Sequence, residues 1–250
     1  MNYKKPELIA PAGDWACLHS AIDGGADAVY FGVKELNMRD RARNFCVNEL
    51  PKIVSLLHDA GKKAYLTLNT IIFNSELKKA RKILQKAKDA GVDRVILWDM
   101  GLLQEAKAVG IPVHLSTQAS VSNASSLKFY SEQGVKRVVL ARECSIKDMR
   151  DIVKTIDAEK ISCDIEVFVH GAMCVSLSGR CFLSQMAFSE SANRGKCLQP
   201  CRREYLITDV EEPEHQYKIG KDYVLSPKDL CVIEYVDKLI KAGIGAFKIE

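Results

Sequence analysis

A strand–helix alternation runs through almost the whole chain of 250 residues, and it constrains the fold more than any other feature. Short apolar runs rich in β-branched residues are predicted to be strands. They lie at 8–13, 26–32, 63–69, 94–99, 112–118, 137–142, 165–171 and 246–250. Amphipathic stretches such as 48–61 and 75–91 lie between them and are predicted to be helices. Most of these stretches place a glycine before the next strand, which is typical of a left-handed helix end.

The predicted strands are continuously hydrophobic and do not alternate cleanly, as expected for parallel strands that helices cover. Eight successive units predict an α/β fold of the (β/α)8 TIM-barrel type. A doubly wound open sheet is the alternative, because periodicity does not reveal the order of the strands.

We predict a single domain over residues 1–250, with two departures from a simple barrel. The segment 172–226 is too long for an ordinary loop, which indicates a functional insertion after the seventh strand. The chain stops at Glu250, at the end of the eighth strand, so the last helix is missing and a C-terminal truncation is expected.

Bulk properties exclude few function classes. The net charge of +4 permits contact with nucleic acid but does not by itself argue for it. No apolar run is long enough for a transmembrane helix, and the N-terminus lacks the apolar core of a signal peptide. These features predict a cytoplasmic protein without membrane insertion. In the cytoplasm, clustered cysteines favour metal binding or catalysis over disulfides.

Four of the nine cysteines lie close together in the predicted insertion, at Cys174, Cys181, Cys197 and Cys201. Small buried hydrophobes are one interpretation, although the surrounding residues are polar. A zinc site is the second, with unusual spacing for zinc, and an iron–sulfur cluster is the third. Spacing alone does not separate the two metal sites. A fourth interpretation is a nucleophilic thiol, with His170 lowering the pKa of Cys174.

Polar residues follow the predicted strands at their C-terminal ends, where barrel active sites lie. The arginines after the second strand either form a solvated face or bind phosphates or a dicarboxylate. Two more arginines directly follow Cys201, so a second basic site is expected beside any metal centre. The candidate substrate-binding residues are Arg39, Arg43, Asn69, Gln118, Arg180, Arg202 and Arg203.

The stretch EVFVHGAMC, followed by SGRCFLS, resembles the signature of the peptidase U32 family. Similarity to this family extends over essentially the whole chain. It includes PELIAPAGD (6–14), GADAVYFG (25–32), NMRDRARNF (37–45) and KIE (248–250). Family members usually continue beyond KIE, in agreement with the expected truncation.

The family is named for a collagenase-type protease, but its better-understood members resemble oxygen-independent hydroxylases with a [4Fe–4S] cluster on four cysteines. They act on tRNA wobble uridine, a ribosomal RNA cytidine or the ubiquinone ring, with prephenate as the implied hydroxyl donor. The resemblance therefore implies that Cys174, Cys181, Cys197 and Cys201 are cluster ligands, with Cys231 as the alternative fourth ligand.

From this resemblance we expect an iron–sulfur-dependent RNA hydroxylase with tRNA wobble uridine as its leading substrate. Its partners would be RNA and a small dicarboxylate donor. Glu166 and His170 are the candidate catalytic residues, which would orient the end of the seventh strand or assist proton transfer. The alternatives are a peptidase that uses a metal or Cys174, and a non-catalytic subunit with a structural cluster or zinc. The quinone-modifying members work in pairs, so a paralogous U32 partner is also expected.

Overall fold

The structure, a computed structural model, describes residues 5–220 and 225–250. Its strands are β1 (Glu7–Ala12), β2 (Ala28–Gly32), β3 (Lys63–Thr67), β4 (Arg94–Leu97), β5 (Val113–Leu115), β6 (Arg137–Val139), β7 (Asp164–Gly171), β8 (Tyr205–Thr208), β9 (Gln216–Ile219), β10 (Leu230–Cys231) and β11 (Ala246–Ile249). Its helices are α1 (Trp15–Asp23), α2 (Leu50–Asp59), α3 (Leu77–Asp89), α4 (Met100–Val109), α5 (Ala124–Glu132), α6 (Ile146–Glu159), α7 (Leu183–Phe188) and α8 (Val236–Lys241).

Eight parallel strands close into a barrel. Strands β1 to β6 lie side by side in chain order, β6 pairs with β7, and β11 lies between β7 and β1. Glu7 of β1 stands opposite Ala246 of β11, which completes the ring. The predicted (β/α)8 fold is therefore confirmed, and the open-sheet alternative is wrong because no free edge remains between β1 and β11.

The helix boundaries follow local signals in the sequence. The carboxylates of Asp14 and Asp99 accept backbone N–H bonds at the starts of α1 and α4, at 2.9 Å in each case. Gly91 and Gly110 follow α3 and α4 at φ of 82° and 75°, the left-handed conformation that the sequence pattern predicted. Among the described residues, no helix has both the length and the apolar character needed to cross a membrane.

Apolar side chains pack in two layers. The larger cluster lies between the strands and the surrounding helices, where Leu50, Ile53 and Leu57 of α2 are fully buried. A smaller cluster inside the barrel includes Tyr65 and Ile96. Charged groups share this interior with it, which departs from the aliphatic filling usual in such barrels.

The predicted insertion leaves the barrel directly after β7. It contains α7 and a β8–β9 hairpin whose residues are mostly exposed, and residues 221–224 of the predicted segment lie outside the described residues. The chain then returns through β10, which runs antiparallel to β7, and through α8 to β11. The sequence did not predict the hairpin, because its strands are short and have no buried face.

Arg194 connects the insertion to the barrel. Its guanidinium forms an ion pair with Glu76, directly before α3, and donates to the carbonyl of Ile71. Gly195 packs against the loop after β2, where an added Cβ would lie 2.9 Å from the Cβ of Asp40. The insertion therefore has a defined position over the C-terminal ends of the strands.

Candidate active site

A cavity of about 790 Å³ opens at the C-terminal ends of the barrel strands. Strand ends and the loop after β2 form its floor and one side, and the insertion from Ala172 to Arg202 covers the other. Barrel enzymes bind their substrates at this position, as the fold prediction implied.

All four clustered cysteines, Cys174, Cys181, Cys197 and Cys201, line this cavity. Burial raises the pKa of Cys174, and electrostatic interaction with Cys181 and Cys197 adds to this effect. Burial likewise raises the pKa of Cys201, with contributions from the same neighbours. The four thiols therefore lie close enough to influence one another's ionisation.

Three of these sulfurs accept backbone hydrogen bonds of one type. At Cys174, Cys181 and Cys197, the N–H of the residue two positions further along donates to the sulfur at 3.4 Å. Such donors stabilise a thiolate over a thiol and tune sulfur ligands of iron–sulfur clusters. The local backbone thus suits these three cysteines for ligation.

Four soft thiol donors, three of which accept a backbone N–H bond at sulfur, match the ligand chemistry of a zinc or iron–sulfur centre. Within residues 5–220 and 225–250, no three His, Cys, Asp or Glu side chains are already arranged so that they could hold a metal ion. The thiols must therefore converge on a common point to bind one.

Cys231, the alternative fourth ligand, lies elsewhere. It is exposed on β10, opposite His170 of β7, and it does not line the cavity. The cavity wall thus carries Cys201 and not Cys231.

The two candidate catalytic residues also lie outside the cavity lining. His170 is exposed, and the register between β7 and β11 slips at this point. Glu166 is fully buried inside the barrel, where it pairs with Lys248 at 2.9 Å. A role of Glu166 in the chemistry would therefore act through Lys248, which does line the cavity.

The predicted substrate-binding residues divide into two groups. Arg39, Asn69, Gln118 and Arg202 line the cavity. Asn69 donates to the Ser116 hydroxyl at 3.4 Å, and the same hydroxyl donates to Gln118. These amides therefore form a connected polar wall.

Arg43, Arg180 and Arg203 do not line the cavity. Arg43 is exposed and lies 3.6 Å from the carboxylate of Asp14. The guanidinium carbon of Arg180 lies over the Trp98 ring, 5.3 Å from its centroid, and that of Arg203 lies over the Phe188 ring, 4.3 Å from its centroid. Sequence proximity to the cavity loops did not reveal these side-chain directions.

Several polar cavity-lining residues were not selected from the sequence, and four of them lie together at the floor. They are Tyr30, Arg142, Lys248 and Glu250. The Tyr30 hydroxyl accepts a bond from Arg39 at 2.7 Å and donates to the Ile249 carbonyl at 2.9 Å, and burial raises its pKa. The position of Arg142 at the end of the sixth predicted strand was the available signal.

Comparison with known proteins identifies the family and the fold. The chain belongs to peptidase family U32, whose family model, described as "Peptidase family U32", matches residues 13–250. The solved structure of the U32 peptidase Mk0906 is 15% identical, with a TM-score of 0.64 over 100% of this chain and 94% of that chain. It therefore shows the shared fold.

Three curated relatives carry different functional names. An uncharacterized protease of Methanocaldococcus jannaschii is 46% identical over 98% of this chain and 60% of its own length. A collagenase of Porphyromonas gingivalis is 41% identical over 100% of this chain and 62% of its own length. The tRNA hydroxylation protein P1 of Bacillus subtilis is 38% identical over 99% of this chain and 58% of its own length. The chain thus spans about 60% of the length of these relatives.

Proposed function

We propose that this chain forms the barrel of an iron–sulfur-dependent, oxygen-independent hydroxylase that modifies an RNA base. tRNA wobble uridine is the leading substrate and prephenate the hydroxyl donor. The name of the 38% identical Bacillus subtilis relative supports the RNA-hydroxylating reaction. The cluster and the donor are proposals based on the ligand chemistry of this cavity and on the family resemblance.

One observation carries the proposal: four thiols and a group of fixed cations line the same cavity. Cys174, Cys181, Cys197 and Cys201 would hold the cluster, which supplies one-electron redox chemistry when bound. Arg39 and Arg202 line the cavity beside them and favour an anionic ligand. Asn69 and Gln118 present amides that suit the edge of a base.

A peptidase is the second candidate, because two relatives are named as a protease and a collagenase. A cysteine peptidase needs a thiol with a lowered pKa beside a histidine base. Here burial raises the pKa of Cys174, and His170 is exposed outside the cavity lining. The arrangement therefore argues against nucleophilic attack by Cys174.

Anaerobic purification followed by visible spectroscopy and metal analysis tests the cofactor. We expect a brown protein with about four irons per chain. The Cys174→Ser and Cys181→Ser variants are expected to lose the colour and the iron. The matched control is Cys17→Ser, which removes an exposed thiol on α1. A colourless wild-type protein would exclude the cluster, and one zinc per chain would indicate the structural alternative.

The reaction itself is tested in a deletion strain by mass spectrometry of tRNA nucleosides. We expect the deletion strain to lack hydroxyuridine. The wild-type gene should restore this nucleoside, and the gene for the Cys181→Ser variant should not. An unchanged nucleoside profile would remove tRNA uridine as the substrate. Release of collagen peptides by the purified protein, with the same cysteine dependence, would support the peptidase.

A further inference from the structure

Three cationic side chains meet at the floor of the cavity, on three different strand ends. Arg39 follows β2, Arg142 follows β6, and Lys248 belongs to β11. Only 15% of the Arg142 side chain and 5% of the Lys248 side chain are accessible to solvent. The barrel thus brings together charges that are far apart in the sequence and partly withdraws them from water.

Aromatic rings hold these cations in place. Arg142 stacks on Phe168 at 4.1 Å, Arg39 lies over the Tyr30 ring at 5.1 Å, and Lys248 lies over the same ring at 4.2 Å. A stacked guanidinium is fixed in its plane and still presents N–H groups at its edge, as bidentate binding of a carboxylate requires.

The carboxylate of Glu250 already bridges the two guanidiniums. Its Oε1 lies 3.4 Å from Nη2 of Arg39, and its Oε2 accepts from Nη2 of Arg142. Arg142 also donates through Nη1 to the carbonyl of Ala172, at 2.7 Å. The position between the two guanidiniums is therefore one that a carboxylate already occupies.

The charges at the floor do not balance. Glu166 offsets Lys248, and Glu250 is shared by both arginines, so three cations face two carboxylates. Glu143 also lines the cavity, but it is exposed to solvent. A partly buried excess of positive charge favours one further anion.

We propose that Arg39, Arg142 and Lys248 bind a carboxylate group of a small organic anion, which shares or replaces the contacts of Glu250. The apolar body of this ligand would pack against the cavity wall formed by Ile96, Val139 and Phe168. The inference rests on the proposed function in taking this ligand to be the hydroxyl donor. The depth of Lys248 favours a small molecule over the phosphodiester backbone of RNA.

Calorimetric titration of the anaerobically purified full chain with prephenate, without RNA, tests this site. Arg39→Gln and Arg142→Gln are each expected to weaken binding by about 10- to 100-fold, the usual effect of removing a charge-assisted hydrogen bond. Arg43→Gln is the matched control, since this exposed arginine lies outside the cavity lining. The affinity of this variant for prephenate should equal that of the wild-type protein. Glu250→Gln should strengthen binding by roughly threefold or more, because it removes the competing carboxylate.

Inorganic phosphate is the second probe and should bind at least tenfold more weakly than prephenate, on the order expected from losing apolar contacts. Three results would each overturn the inference: prephenate does not bind saturably, Arg43→Gln weakens binding as much as the other two variants do, or phosphate binds as tightly as prephenate.

If either the Arg39 or the Arg142 variant fails to fold, as judged by circular dichroism, the direction of the change in prephenate affinity in Glu250→Gln decides the question. Arginine-dependent binding without RNA hydroxylation would contradict only the proposed function. Hydroxylation with unchanged binding in both arginine variants would contradict only this inference.

Discussion

Arg194 of the insertion and Glu76 before α3 form a two-bond ion pair, with Nη1–Oε2 at 2.7 Å and Nη2–Oε1 at 2.5 Å. This contact joins two segments that are 118 residues apart in the chain. The Arg194 side chain lowers the pKa of Glu76, and Glu76 in turn raises the pKa of Arg194. Because Cys197 follows three residues later, the pair also sets where part of the cysteine wall lies over the barrel.

Replacing Arg194 with glutamine should therefore loosen the insertion and lower both thermal stability and metal loading. We expect the unfolding midpoint to fall by about 2–4 °C, the shift for roughly 1 kcal/mol in a domain of this size. Differential scanning calorimetry and iron per chain measure the two effects.

The control for this prediction is Arg81→Gln. Arg81 makes a similar two-bond pair with Glu105, but between α3 and α4 on the exposed surface. The Arg81→Gln variant should therefore contain almost as much iron per chain as the wild-type protein. Equal iron loss in both variants would show that the Arg194 contact has no special role in positioning the cysteines.

The cavity lining predicts which cysteine is the fourth ligand. Cys201→Ser should reduce iron per chain to below about half of the wild-type value, because it removes one of the four thiolates that would hold the cluster. Cys231→Ser should retain it, because Cys231 is exposed and lies outside the cavity lining. Both variants are compared by iron analysis and visible absorption after identical anaerobic reconstitution. The reverse pattern would assign the fourth position to Cys231.

The lowered pKa of Glu7 predicts how the free energy of unfolding changes at acidic pH. Burial alone would raise its pKa, but hydrogen bonds from Lys63 and Tyr65 and the charge of Arg137 lower this pKa to about 2 from 4.5. A carboxyl with a depressed pKa stabilises the fold fully above its unfolded pKa, and this contribution is lost as the pH falls toward the folded value. The group should contribute about 3 kcal/mol at neutral pH.

Urea unfolding of wild-type protein and Glu7→Gln from pH 7 to pH 3 measures this dependence. The variant should be less stable at pH 7 and should lose less free energy of unfolding on acidification. Glu159→Gln is the control, since the Glu159–Lys128 pair lies on the surface. Parallel profiles for wild-type protein and Glu7→Gln would contradict the assignment.

Glu166→Gln distinguishes a structural role from proton transfer. The substitution leaves the ammonium group of Lys248 buried without its carboxylate, which should cost about 3–5 kcal/mol of unfolding free energy. Combining it with Lys248→Met should recover much of this loss. If the single variant is as stable as wild-type protein in urea, the buried pair is not a structural element.

Several predictions could be made from the sequence because they depend on local pattern. The stretch 75–91 predicts a helix, and α3 spans Leu77–Asp89 with Ala80, Ile83, Leu84 and Ala87 buried on one face. The barrel followed from eight such units, and the cysteines of the insertion do share one cavity wall. Each of these depends on neighbours that are close in the chain.

The side-chain contacts at the cavity could not be predicted in this way. His170 was selected because it lies at the end of a strand, but in the structure it is exposed, at the point where the register between β7 and β11 slips. Arg43 and Arg39 lie in one short segment, yet one pairs with Asp14 and the other reaches Tyr30. Such differences depend on the direction of a side chain at a loop, which the sequence pattern does not encode.

The sequence by itself determined the succession of strands and helices, the family resemblance and the group of four thiols. Hydrophobic periodicity and glycine positions are local properties, so they can be read without knowledge of the fold. Only the tertiary structure decided that Arg39, Arg142, Lys248 and Glu250 meet at one floor, and that Cys201 and not Cys231 lines the cavity. Closure of the barrel brings together strand ends that are more than 200 residues apart in the chain. The energy of interaction between two charges depends on how far apart they lie in space and not on their separation in the sequence.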